Sequence, residues 1–158
     1  LIYRREQIDF DPIGNSDRRK PEPGVVVSLL ILYLATALVF LALDVVMLKR
    51  VLHPLFSKHI GHMMLDAPKM GAAGVFYLLY VAGIVFFVAL PAANGGSMFQ
   101  AFIAGLVLGA MAYGTYEFTN FATLKGWRRR MVAIDLSWGA LLTALSAVGG
   151  VWIHSIVT

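Results

Sequence analysis

Long runs of apolar residues, each interrupted by only a few polar positions, recur four times along this chain. They extend over about residues 25–48, 72–93, 98–121 and 131–157. Each run exceeds the approximately 20 residues that cross a bilayer core as an α-helix. Lipid offers the backbone no hydrogen-bond partner, so helix is the expected conformation of each run. The pattern therefore predicts an all-α integral membrane protein with four transmembrane helices in an up-and-down bundle.

The chain divides into a polar tail, residues 1–23, and a four-span membrane domain, residues 24–158. The tail is charged and Pro-rich towards its end and has no helical periodicity, which predicts an extended or partner-bound arm. It starts without Met, and its first three residues, followed by Arg4 and Arg5, resemble the end of an apolar segment with a basic stop. We therefore expect upstream residues to be missing, the alternative being a removed Met and an ordinary tail.

Basic residues are distributed unevenly around the four apolar runs, and this indicates how the chain crosses the membrane. The segments 49–71 and 125–130 share one membrane side, called the loop side below. The tail, the turn at 94–97 and the C-terminus share the other, the tail side. The positive-inside rule places the more basic side in the cytoplasm. That side is the loop side, which has Lys49, Arg50, Lys58, Lys69, Lys125, Arg128, Arg129 and Arg130 against Arg4, Arg5, Arg18, Arg19 and Lys20.

Composition agrees with a membrane protein and excludes several classes of site. The chain is 59% hydrophobic and 14% charged, whereas a soluble domain is about half apolar and about a quarter charged. It contains no cysteine, which excludes a disulfide, a thiolate nucleophile and a cysteine-ligated metal site within the chain. The basic residues flank apolar runs, which suits lipid headgroups better than nucleic acid. Trp127 and Trp152 are expected at the two membrane interfaces.

Three of the four apolar runs contain a carboxylic acid, and these acids are the main lead to function. The alternating direction of the spans brings Asp44, Glu117 and Asp135 towards the loop side. A charged group among lipid tails is costly and normally faces a protein interior or a wet cavity. Two further polar residues share the helix face of Glu117. We therefore predict one polar cluster, formed by Asp44, Tyr113, Glu117, Asn120 and Asp135.

The polar residues admit several interpretations. Carboxyl groups that share a dry site can hold a proton near neutral pH, which suits proton coupling or acid–base chemistry. A metal site with His53, His59 or His62 is not expected, because the sequence has no HExxH motif and no second close ligand pair, and no other cofactor is predicted. In the structural alternative, the acids pair with basic residues and with Tyr and Thr hydroxyls and stabilise the bundle. Separately, an anionic headgroup or phosphate is expected to contact Lys49, Arg50, Arg128, Arg129 and Arg130.

Small residues recur every four positions on the third and fourth predicted helices. Such stripes let helices approach each other closely. We expect them to serve contacts within the bundle or, alternatively, contacts to another subunit. The stripes are Ala101, Gly105 and Gly109 on one helix and Gly139, Thr143 and Ala147 on the other.

Five short motifs stand out: FLALD at 40–44, YLLY at 77–80, YGTYEFTN at 113–120, ATLKGW at 122–127 and DLSWG at 135–139. Together they resemble a bacterial membrane family catalogued as domain of unknown function 2177, over about residues 29–153. The resemblance implies a small four-helix membrane protein in which the positions of these five motifs are characteristic. No activity is established for the family, so the resemblance implies no mechanism. The chain departs from the family pattern at Glu117, where Asp is usual, at Met47, where Trp is usual, and in the added tail.

From these features we predict a non-catalytic accessory subunit of a larger respiratory or photosynthetic complex in the bacterial inner membrane. The chain is small, lacks catalytic motifs such as GxGxxG or GxSxG, and has a tail suited to docking. Its expected partners are membrane lipids and other membrane-protein subunits, reached through the small-residue stripes and residues 1–23. One alternative is a small proton-coupled transporter that uses Asp44, Glu117 and Asp135. The other is a membrane enzyme that acts on lipid, for which no catalytic residue is assigned.

Overall fold

The computed structural model describes residues 24–158, and the predicted tail of residues 1–23 lies outside the described residues. Within the described part, 87% of the residues are helical and none is in a strand. Four helices are long and apolar enough to cross a membrane: α1 (Val25–Met63), α2 (Met70–Ala93), α3 (Met98–Thr123) and α4 (Arg129–Val157). The predicted all-α fold with four membrane-spanning helices is therefore confirmed.

The bundle differs from a soluble protein in its largely apolar surface and in the charged side chains that it buries beside its apolar core. Large apolar side chains cover the outer surface; Val26 and Phe99, for example, are 79% and 72% exposed. A surface of this kind is suited to contact with lipid. The interior, in contrast, contains polar side chains that lipid would not solvate, namely Thr36, Asp44, Glu117, Asp135, Thr143 and Ser146.

Helix α1 continues beyond the predicted end of the first span. The sequence predicted an end at about residue 48, but the helix runs on to Met63. Proline lacks an N–H group and crowds the turn before it, and a widened turn can accommodate it without ending the helix. The structure has two such widened, π-helical turns, and each lies shortly before a proline. They are Leu48–Leu52 before Pro54 and Val85–Ala89 before Pro91.

Helix α4 is the centre of the bundle, since it packs most extensively against α3 and next against α1. Small residues make the contact with α3 close. A Cβ atom on Gly105 would lie 2.6 Å from the Cα of Ala144, and one on Gly109 would lie 2.7 Å from the Cα of Ala140. Both predicted stripes are buried in the bundle. They therefore serve contacts within the bundle, and the contacts to other subunits stay a prediction.

The end of α1 folds across the loop side of the bundle. The corner between α3 and α4 turns at Gly126, whose φ of +93° is a left-handed conformation that glycine adopts readily. The end of α1 and this corner meet in a separate apolar cluster, called the loop-side cap below. The cap consists of Leu55, Phe56, Ile60, Met64, Trp127, Met131 and Val132.

Candidate functional site

The three intramembrane acids lie together at the loop-side end of the bundle. Asp44 on α1 and Asp135 on α4 are each 6% exposed, and Glu117 on α3 is fully buried. Asp135 lies close to both Glu117 and Asp44. The antiparallel order of the helices brings the acids together, because each lies near the loop-side end of its span.

Asp44 accepts a hydrogen bond from a tyrosine of α2, with 2.8 Å between Tyr77 OH and Asp44 Oδ2. Phe40, one turn before Asp44, is fully buried. Its ring packs edge-on against Tyr77 and Tyr80, with centroids 5.6 Å and 5.7 Å away. These contacts hold the Tyr77 hydroxyl beside Asp44. Tyr77 is a site residue that the sequence prediction missed, and its one signal in the sequence is its place in the YLLY motif.

Glu117 accepts a hydrogen bond from the indole N–H of Trp127, with 2.7 Å between Nε1 and Oε2. Trp127 packs edge-on against Phe56 and Tyr116, at centroid distances of 5.4 Å and 5.6 Å. Trp127 is only 7% exposed, so its ring packs inside the protein and does not face lipid headgroups. The reason is that the end of α1 covers the corner that carries it.

The second carboxyl oxygen of Glu117, Oε1, is buried and has no hydrogen-bond donor in the described part of the chain. Asp135 is the neighbouring carboxyl across the contact between α3 and α4. Two ionised carboxylates cannot bond to each other, because both are acceptors only; the contact is satisfied when one of them holds a proton and donates it.

The donors to the acids are aromatic side chains. Tyr77 donates to Asp44 and Trp127 donates to Glu117. No hydrogen bond from a Lys or Arg reaches the three acids within residues 24–158. The structural alternative predicted that the acids pair with basic corner residues and with Tyr and Thr hydroxyls. In this cluster a tyrosine hydroxyl bonds to an acid, but the basic corner residues do not.

Tyr113 and Asn120 are the two other residues predicted in the cluster. The Tyr113 ring packs on the backbone of Gly139, where a Cβ atom would overlap it. Tyr113 is also within electrostatic reach of Asp44 and Asp135. Asn120 is partly exposed, and its backbone carbonyl accepts the N–H of Leu124 at 2.8 Å where α3 ends. Asn120 lies nearly one turn further along α3 than Glu117, and its place in the cluster stays a prediction.

The residues predicted to contact headgroups separate into two groups. Arg50 and Arg130 line one cavity, which Lys58 and His59 also line. The sequence prediction did not include these last two, because it ended the first helix before them. The predicted contacts outside this cavity are Lys49, Arg128 and Arg129, which are exposed on the same side.

The histidines make separate contacts. His59 Nδ1 donates to the carbonyl oxygen of Leu55 at 2.8 Å, and His154 Nε2 lies 2.7 Å from the hydroxyl of Ser28. Among residues 24–158, no group of three or more His, Cys, Asp or Glu side chains is arranged to hold a metal ion. His59 and His154 lie on opposite sides of the bundle.

Replacing Trp127 with phenylalanine removes the donor of Glu117 and keeps an aromatic ring in the loop-side cap. We expect the free energy of unfolding to fall by about 1–3 kcal/mol, because a buried acceptor loses its partner. Reversible unfolding in mixed micelles measures this change. Trp152→Phe is the matched control, since Trp152 is 59% exposed. Equal losses in the two variants would contradict a stabilising role for this hydrogen bond.

The chain matches one known family over most of its length. A family model described as a predicted membrane protein (DUF2177) matches residues 29–152. No curated protein and no solved structure matches the chain. The matched segment includes the three acids and the whole loop-side cap, and it agrees with the resemblance that the five motifs indicated.

Proposed function

This chain belongs to the DUF2177 family of predicted membrane proteins, and we propose that it is a small proton-coupled transporter. Its proton site in this proposal is the cluster of Asp44, Glu117 and Asp135. Its location is the bacterial inner membrane, with the loop side in the cytoplasm. The accessory-subunit function that we predicted first requires nothing of these acids beyond holding the bundle together. The geometry of the acids favours the transporter.

The observation that carries the proposal is the burial of Glu117 beside Asp135. Glu117 is fully buried, and its Oε1 has no donor among the described residues. An unpaired charge in such a place is costly, and a proton shared with Asp135 removes both the charge and the missing donor. The pair is therefore suited to bind a proton, and to release it when water reaches the site.

One tyrosine hydroxyl is hydrogen-bonded to an acid of the cluster, and a second tyrosine lies near the acids. Tyr77 donates to Asp44, and Tyr113 is within electrostatic reach of Asp44 and Asp135. A phenolic hydroxyl both donates and accepts, so it can pass a proton between carboxyl groups by changing partners. In this proposal Glu117 and Asp135 hold the proton, and Asp44 exchanges it with them through the tyrosines.

Two features beside the cluster supply the movement that proton release requires. The loop-side cap covers the site, and its Trp127 is bonded to Glu117. The π-helical turn Leu48–Leu52 begins about one turn after Asp44, and such turns are frequent at functional sites and bends of helices. Rotation of the end of α1 at this turn would draw Phe56 and Ile60 away from Trp127 and open Glu117 to water.

Infrared spectroscopy of the protein in lipid nanodiscs tests whether the cluster holds a proton. At neutral pH the wild type is expected to show the C=O stretching band of a protonated carboxyl, which ionised carboxylates lack. The Glu117→Gln variant is expected to lose or shift that band. Asp66→Asn is the matched control, because Asp66 is an exposed acid outside the cluster, and it should leave the band unchanged. A wild-type spectrum without a protonated carboxyl would refute the proposal.

Purification in mild detergent distinguishes the transporter from the accessory subunit. The transporter is expected as a homogeneous species that shows the protonated carboxyl by itself. A subunit is expected to leave the membrane with a stoichiometric partner. Recovery in such a complex, with all three acids ionised at neutral pH, would favour the subunit.

A further inference from the structure

A cavity at the loop side brings together basic residues from two helices. It has a volume of about 350 Å³ and lies between the end of α1 and the start of α4. Arg50 and Lys58 reach it from α1, and Arg130 reaches it from the first turn of α4. The cavity exists because α1 continues as a helix beyond the π-helical turn, which places Lys58 two further turns along the face that starts with Arg50.

His59 completes the basic lining in a fixed orientation. Its Nδ1 lies 2.8 Å from the carbonyl oxygen of Leu55. A carbonyl oxygen only accepts, so Nδ1 carries the proton. The ring is thereby held against its own helix turn, and Nε2 is the nitrogen that remains for a ligand.

The charge of the cavity is not balanced by its own lining. Arg50, Lys58 and Arg130 line it, and within residues 24–158 the lining contains no acidic residue. Like charges brought together repel each other, and an anion between them removes that repulsion. Guanidinium groups are suited to phosphate oxygens because two parallel N–H donors meet two oxygens.

The remaining wall of the cavity is apolar. Val51 and Leu55 line it from α1 and Ile134 lines it from α4. A phosphate group alone gains no stabilisation from contact with an apolar wall, whereas the glycerol and upper acyl carbons of a phospholipid are stabilised by it. The cavity also lies where both helices leave their apolar segments, at the level of lipid headgroups.

We propose that Arg50, Lys58, His59 and Arg130 form a binding site for a phosphate-bearing anion, and that its source is an acidic phospholipid of the cytoplasmic leaflet. The phosphate lies between the two arginines, and the glycerol end rests on Val51, Leu55 and Ile134. Lys58 supplies a further donor, and His59 Nε2 donates to the phosphate when the ring carries a second proton. This site is separate from the carboxyl cluster and does not depend on its protonation.

Native mass spectrometry of the purified protein, titrated with phosphatidylglycerol, tests the site. Wild type is expected to retain one lipid saturably and to prefer phosphatidylglycerol over phosphatidylcholine. The Arg50→Gln/Arg130→Gln variant is expected to bind it on the order of tenfold or more weakly, because two charge-assisted contacts are lost. Lys69→Gln/Lys125→Gln is the matched control; it removes the same charge from exposed loop-side residues that do not line the cavity, and its affinity should stay within about twofold.

Three results would overturn the proposal. Equal weakening in both double variants would mean that general surface charge, not the cavity, attracts the lipid. Equal retention of phosphatidylglycerol and phosphatidylcholine by the wild type would show that the protein has no site selective for an anionic lipid. This comparison uses the wild type alone, so it holds even if a variant fails to fold. Displacement of the lipid by an equal concentration of inorganic phosphate would make a free anion the ligand and refute the phospholipid.

Discussion

A pH jump applied to proteoliposomes is expected to drive a transient charge movement with the wild-type protein and none above background with the Glu117→Gln variant. A proton that binds a buried carboxyl crosses part of the membrane's electric field, so the binding step itself moves charge without any substrate. Glutamine keeps the size of Glu117 and an oxygen that can accept the Trp127 hydrogen bond, but it binds no proton. Solid-supported membrane electrophysiology measures the amplitude.

Two further variants show whether the loss reports proton binding at this position. Glu117→Asp retains a titratable carboxyl on a shorter side chain, so it should keep a reduced charge movement. Asp66→Asn makes the same kind of change at an exposed acid and should keep the full amplitude. If Glu117→Gln moved as much charge as the wild type while keeping its helical circular dichroism, Glu117 would not be part of the proton site.

The four helices and the meeting of the acids follow from rules that act on sequence directly. Lipid imposes helix on long apolar runs, and an up-and-down order gathers positions near the same helix ends. Asp44, Glu117 and Asp135 are conspicuous in sequence because charges are costly in such runs. Tyr77 is not conspicuous, since a tyrosine near the end of a span is ordinary. Its role depends on the packing of Phe40, which no local pattern reveals.

The loop-side cap depends on contacts between distant segments, and so the sequence did not reveal it. Basic residues beside an apolar run indicate where the run ends, but they do not indicate whether the helix continues. Here it continues to Met63, and the added turns pack Phe56 and Ile60 around Trp127. That packing turns Trp127 inwards to Glu117, and the same turns bring Lys58 and His59 to the basic cavity.

Truncation of Phe40 to alanine is expected to cause the largest loss of stability among these substitutions, on the order of 3 kcal/mol in the free energy of unfolding. Phe40 is fully buried, and its ring contacts Tyr77 and Tyr80 edge-on. In a membrane the transfer of apolar surface from water contributes less, but the cavity and the lost dispersion contacts remain. Reversible unfolding in mixed micelles gives the free-energy change.

Phe99→Ala is the matched control for this packing, because Phe99 is 72% exposed and its truncation leaves no interior cavity. The control is expected to change stability by no more than about 0.5 kcal/mol, and Phe40→Leu should recover part of the loss by refilling the cavity. Loss of Phe40 should also weaken the pH-jump charge movement, because Tyr77 is no longer held beside Asp44. If Phe40→Ala and Phe99→Ala lost equal stability, interior packing at Phe40 would not explain the effect. A destabilised Phe40→Ala variant with a full charge movement would show that proton binding does not require the hydrogen bond between Tyr77 and Asp44.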